Sequence, residues 1–162
     1  MHWILCAVSL TASLIVVRPL LAQSPAEKAA IFKAAGFVQR GYVWKSGNCD
    51  GAESASYSPG SIEAYRDLNG DGRPEAVVAE GGAVCYGDAG MHFWLLSQQA
   101  SGAWMRIHDE TAMPEFLATK GAEGWPDIQM GGPGFCFPVW RWDGRAYRPH
   151  RFEHEGKACK RP

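Results

Sequence analysis

Glu75-Ala-Val-Val-Ala-Glu80 and Met91-His-Phe-Trp-Leu-Leu-Ser97 decide the fold. Both are short apolar runs rich in β-branched or aromatic residues, and a glycine-rich segment joins them, so they read as paired strands. Beyond them, Ala100-Ser-Gly102 turns the chain into Ala103-Trp-Met-Arg-Ile-His108, where Ala103, Met105 and Ile107 alternate with Trp104, Arg106 and His108. Phe135 to Trp142 and Arg145 to Phe152 flank Asp143-Gly144, a strong hairpin signal. One antiparallel sheet carrying one or two helices is the economical architecture.

Upstream, Ser24-Pro25-Ala26-Glu27 marks a helix start. Ser24 caps, Pro25 takes the first helical position, and Glu27 completes a capping box. Lys28 to Ala35 is built of strong helix formers, Ile31 and Phe32 are placed to dock on the body, and Gly36 ends the helix. Pro114 to Lys120, followed by Gly121, reads as a second, shorter helix. The expected class is therefore α+β, mainly antiparallel β-hairpins with an N-terminal helix and one short helix, stapled by disulfides.

The chain has 162 residues, 46% of them hydrophobic, which suffices for one domain with a core. Sixteen Lys and Arg against 17 Asp and Glu give a net charge of −1, which offers no basis for nucleic-acid binding. Residues 1–22 read as a signal peptide: an apolar run from Ile4 to Val17 is shorter than a membrane span, and Ala22 precedes the preferred cut. An uncleaved anchor with Arg18 at the interface is the other reading. Residues 23–162 are then a single exported domain, periplasmic or extracellular, with no stable membrane insertion after signal removal.

Cysteine usage agrees with export. Cys49, Cys85, Cys136 and Cys159 follow the signal, an even number that implies two disulfides. None has the C-x-x-C spacing of a zinc knuckle or redox motif. Cys85–Cys136, both in glycine-rich turns beside strands, with Cys49–Cys159 fastening the ends, is the favoured pairing among three.

Chemistry concentrates in residues 67–75, Asp67-Leu-Asn69-Gly-Asp71-Gly72-Arg73-Pro-Glu75. Oxygen-bearing side chains stand at positions 1, 3, 5 and 9 of this loop, with Gly72 at the sharp turn and the Arg73 carbonyl as a further donor. A hard cation such as Ca²⁺ needs six to eight oxygens at about 2.3–2.6 Å, and alternate side chains on a curled loop converge on one point. The loop is not an EF-hand, since Val78 stands where a bidentate Glu is required and a strand follows it. It resembles the calcium loop of FG-GAP/VCBS-type repeats of integrin-like β-propellers, over about a dozen residues. That resemblance implies side-chain ligation by Asp67, Asn69, Asp71 and Glu75 and carbonyl ligation by Arg73. A single copy carries over the loop and not the propeller.

Other constellations carry less. His150-x-x-x-His154 has zinc-helix spacing in an Arg- and Pro-rich context that suits an exposed tail better. Glu80, Glu110, Glu115 and Asp127 are acid candidates with nothing in the sequence to pair them. Trp140 and Trp142 share a strand face, so at least one is available for exposure. No catalytic residue is assigned. The leading functional expectation is an exported calcium-binding domain with structural Ca²⁺, a non-enzymatic module for a protein or glycan partner. An inhibitor or immunity protein against a cell-wall-degrading enzyme is the alternative, and a glycan or cell-wall hydrolase the third.

Overall fold

A computed structural model describes residues 23–50 and 54–160. The signal-peptide segment, residues 1–22, lies outside the described residues. The chain runs α1 (Pro25–Ala34), β1 (Val38–Arg40), β2 (Val43–Lys45), β3 (Ser58–Arg66), β4 (Glu75–Gly81), α2 (Ala83–Tyr86), β5 (Met91–Gln98), β6 (Trp104–Glu110), β7 (Met113–Lys120), β8 (Pro126–Gly131), β9 (Phe137–Trp142), β10 (Tyr147–His154) and β11 (Lys157–Ala158). The α+β, mainly antiparallel class holds, but the strands form two sheets where the sequence suggested one. The first has the order β1-β2-β3-β4-β5-β6 and the second β11-β10-β9-β8-β7.

The stretches that opened the sequence reading are the middle of the molecule. β4 pairs with β5 in unbroken antiparallel register, from Glu75 opposite Ser97 to Gly81 opposite Met91. Successive side chains of a strand point to opposite faces, and here both faces are covered. Ala76, Val78, Trp94 and Leu96 meet Ile31 and Phe32 of α1, with Phe37 and Trp44 completing that core. Val77, Phe93 and Leu95 point the other way, onto Ile128, Met130, Trp142 and Tyr147 of the second sheet. The result is three layers: helix, sheet, sheet.

α1 forms where the capping box placed it, with Ser24 Oγ accepting from the Glu27 N–H at 3.1 Å. Phe32 stacks on Trp44 at 4.9 Å between ring centroids, and Phe37 meets Trp94 edge-on at 4.7 Å. The Asp143-Gly144 turn joins β9 to β10 as expected, and Asp143 Oδ1 accepts from the Arg145 and Ala146 N–H groups.

The helix expected over Pro114–Lys120 is a strand, β7. Its Phe116 lies opposite Ile128 of β8 and packs on the second core, a tertiary pairing that overrides the helix-forming composition. Pro114 is tolerated because β7 is the edge strand of its sheet. The short second helix is instead α2, in the β4–β5 connection.

The cystines also differ from the favoured pairing. Cys49 is bonded to Cys85, and Cys136 to Cys159, with Cα separations of 5.4 and 5.9 Å. Each bridge stays within one sheet: the first ties the β2–β3 connection to the β4–β5 connection, the second ties the β8–β9 connection to the C-terminal segment after β11. Antiparallel alternation puts both bridges at the same end of the strands, and the 67–75 loop at the opposite end.

Phe32 is wholly buried between α1 and the first sheet. Its replacement by Ala should cost about 3–5 kcal/mol, read as a lower urea midpoint with an unchanged m-value.

Candidate functional site

The 67–75 loop links β3 to β4 and folds back on itself. Both carboxylate oxygens of Asp67 are engaged inside the loop, accepting from the Gly70 N–H at 2.7 Å and the Gly72 N–H at 2.9 Å. Asn69 Oδ1 accepts from the Asp71 N–H at 2.9 Å, and Asp71 Oδ1 from the Arg73 N–H at 2.8 Å. Gly72 sits at φ +84°, a conformation that side chains resist, which is why the turn needs glycine there. The loop curls around its own acidic side chains.

Glu75 closes this arrangement from the first residue of β4. It is 1% exposed, and its carboxylate accepts from the Leu68 N–H at 2.7 Å and the Ser97 hydroxyl at 2.8 Å. Burial pushes its pKa up, the two hydrogen bonds pull it down, and the charges of Asp71 and Asp67 push it up again. Asp67 and Asp71 are therefore close enough for their charges to act on Glu75. Arg73 answers part of that charge by an ion pair with Asp71, while its Nε donates to the Gln98 carbonyl at 2.9 Å and so ties the loop to the end of β5.

Among the described residues, no three His, Cys, Asp or Glu side chains form a metal-holding group on their own. The loop's donor set also includes an amide oxygen and a backbone carbonyl, which suit calcium and are not of that kind. The donor chemistry fits a hard dication: its charge would relieve the repulsion felt by Glu75 and release Asp71 from Arg73.

The loop does not stand alone. The turn Ala122–Gly124, which precedes β8, presses against it. A Cβ added to Gly124, at φ +77°, would lie 2.3 Å from the Asn69 carbonyl oxygen. Beside it Glu123 adopts φ +54°, unusual for a residue with a side chain, and its Oε2 accepts from the Trp142 Nε1–H at 3.1 Å. Between loop and turn opens a cleft of about 300 Å³.

Three further features rest on partners that the sequence did not indicate, two of them around acid candidates that it had named. The first is Glu80, the last charged residue of β4 and 1% exposed. It accepts from the Ser46 N–H at 3.2 Å, the Ser46 hydroxyl, the Tyr57 hydroxyl at 2.8 Å and the Tyr86 hydroxyl at 2.5 Å. Burial and the bond to Glu80 push the Tyr86 phenol up to about 12. A carboxylate so saturated is a structural tether holding the β2–β3 connection beside the Cys49–Cys85 bridge.

The second is Asp127, fully buried on the face of the second sheet that points away from the first. Arg141 grips it with Nε at 2.9 Å and Nη2 at 2.8 Å, Arg151 Nη1 adds a contact at 2.7 Å, and the Thr119 hydroxyl one at 2.6 Å. Burial raises its pKa, but the hydrogen bonds from Arg141, Arg151 and Thr119 win and hold it far below the usual carboxylate range.

The third lies at the cystine end. A cleft of about 340 Å³ between the sheets is lined by Glu110, Gly131, Gly132, Phe137 and Trp140 among others. Val84, Met113 and Phe135, in or bordering the connections at this end, are 66%, 48% and 67% exposed.

The four carboxylates raised as acid candidates are dispersed. Glu80 faces the helix layer, Glu110 lines the cystine-end cleft, Glu115 accepts from Gln129, and Asp127 is held by two arginines. His150 and His154 lie exposed on β10, not in a tail. Four residues of extended chain separate them by about 13 Å, too far to share one metal ion. Trp142 is 8% exposed in the second core, and Trp140 is half-buried. No helix among the described residues is long and apolar enough to cross a membrane. The chain matches no protein-family model, no curated protein and no solved structure.

The depressed pKa of Asp127 sets a sign. Its stabilisation is present above the unfolded-state value of about 3.9 and is lost as pH falls from there toward the lower folded value. The stability difference between the native chain and Asp127→Asn should therefore shrink steadily below about pH 4, measured by urea titration at stepped pH. A constant difference would mean that the arginine contacts carry no charge-dependent stabilisation.

Proposed function

We propose that this protein is an exported, disulfide-stapled recognition module whose 67–75 loop holds one structural calcium ion. Asp67, Asn69, Asp71 and Glu75 would bind through their side chains and Arg73 through its carbonyl. The observation that carries this reading is Glu75: a wholly buried carboxylate at the mouth of a curled loop, under the repulsion of Asp67 and Asp71. A dication among these oxygens turns that repulsion into attraction and pins the loop to β4, Ser97 and the Ala122–Gly124 turn. The two cystines support an oxidising compartment.

Titration calorimetry should show one calcium site with a Kd of about 10⁻⁴–10⁻³ M, the range of extracellular modules. At a hundredfold excess over Kd, calcium should raise the melting temperature by roughly 5–10 °C relative to chelator. Asp71→Ala should abolish both effects. A melting temperature that ignores calcium in the native chain would overturn the calcium assignment.

A second reading, inhibition of a cell-wall-degrading enzyme, draws on the cystine end. Exposed Val84 and Phe135, each next to a bridged cysteine, and exposed Met113 at the start of β7 lie at the same end as the cleft, and a connection held by a covalent bridge suits a partner surface better than a flexible loop. With a lysozyme-type muramidase as probe, the native chain should inhibit lysis of cell walls, and Val84→Ser with Phe135→Ser should weaken inhibition at least tenfold, about 1.4 kcal/mol. No inhibition by the native chain would dispose of this reading and leave the calcium loop untouched.

A further inference from the structure

The cleft beside the 67–75 loop has a lining unlike that of a core defect. Its walls present five planar polar groups: the amides of Asn69 and Gln99, the carboxylates of Asp71 and Glu123, and the guanidinium of Arg73. Met105, Ile107, Trp125 and Trp142 make up its apolar part. Donors and acceptors are interspersed, Arg73 is paired with Asp71, and the other carboxylate of the lining, Glu123, has no ion pair among the described residues. Such a lining suits a ligand of little net charge with many groups that both donate and accept.

Glu123 supplies an independent observation. A non-glycine residue in the left-handed region costs on the order of 1 kcal/mol, and such strain persists where the surroundings enforce it. Two contacts enforce it here: the Asn69 carbonyl against Gly124, and the Trp142 N–H bonded to one Glu123 oxygen. Glu123 is thereby held at the wall of the cleft that it lines. Strain that holds an acceptor at a cavity wall is preorganisation for a ligand.

We propose that this cleft is a saccharide-binding site, taking one or two rings of a neutral oligosaccharide. Adjacent ring hydroxyls donate to Glu123 and accept from the Gln99 and Asn69 amides, while the C–H face of a ring rests on the apolar part of the lining. A volume of about 300 Å³ is at the lower limit of small-molecule sites and matches a ligand of that size. The site shares Asn69 and Asp71 with the calcium loop, but Gln99, Glu123 and Trp142 lie outside the proposed ligand set, so it does not rest on the ion.

The test titrates the full disulfide-bonded chain with cellotriose, maltotriose and triacetylchitotriose, following tryptophan fluorescence and calorimetric heat, in calcium and again in chelator. At least one trisaccharide should give a saturable change. Glu123→Gln and Gln99→Ala should each weaken it about fivefold, the worth of one hydrogen bond, with melting temperature and calcium isotherm unchanged. Absence of a saturable response to all three, or a response that neither variant alters, overturns the proposal. Sugar binding that survives chelation in a chain that binds no calcium sinks the calcium assignment alone, and calcium binding without any sugar response sinks the saccharide site alone.

Discussion

The structure depends on one strand being buried on both faces. β4 lies between β3 and β5, with α1 above it and the second sheet below, and Glu75 to Glu80 are all buried. Such a strand cannot slip by one residue without exchanging Ala76 and Val78 for Val77 and Ala79 across two differently shaped cores. Its ends are closed by two glutamates, one per face. Glu75 points to the side of the second sheet and Glu80 to the side of the helix, and each is 1% exposed. Each gathers hydrogen bonds from a connection that would otherwise be free to swing: Leu68 at one end, beside Ser97 of β5, and Ser46, Tyr57 and Tyr86 at the other. Burying a carboxylate is costly unless donors surround it, so both connections are held in place by the need to satisfy these two groups.

This arrangement sorts chemistry by end. The loop end combines alternating acidic residues, a strained glutamate and a cleft edged by tryptophan. The cystine end combines two covalent bridges, exposed apolar side chains and a second cleft. Between them, on the outer face of the second sheet, Asp127 with Arg141 and Arg151 forms a satisfied ion cluster. Its geometry consumes the hydrogen-bonding capacity of the carboxylate, which explains its burial and gives it no evident work beyond locking β8, β9 and β10 together.

Much of the fold was legible where the determining contacts are local. The capping box at Ser24, the Asp143-Gly144 turn and the apolar runs of β4 and β5 all act within a few residues, and all appear where the sequence placed them. Pro114 to Lys120 misled because helix-forming composition is a weak preference, and the opposing cause, Phe116 opposite Ile128, lies in another strand. The cystine pairing was beyond reach for a similar reason: which cysteines meet follows from the division into two sheets, and that division depends on how two cores share the residues of β4. The loop's oxygen-bearing side chains could be picked out by spacing, yet the tether of Glu75 to Ser97 and the pressure of Gly124 on Asn69 come from residues far along the chain. Glu123 gave no sign at all, since a lone glutamate before a glycine in a turn is unremarkable until its backbone angle is known.

The placement of the two cystines has a further consequence. Roughly 24 Å of extended backbone, seven residues of β4, separates them from the loop, and perturbations so far apart in a packed protein add with little coupling. With calcium bound in the loop as proposed, reducing agents and chelators would therefore act at opposite ends of the strands. One end of the strands carries covalent clasps and the other, on the proposed calcium reading, would carry an ionic one, each able to open while its counterpart stays shut.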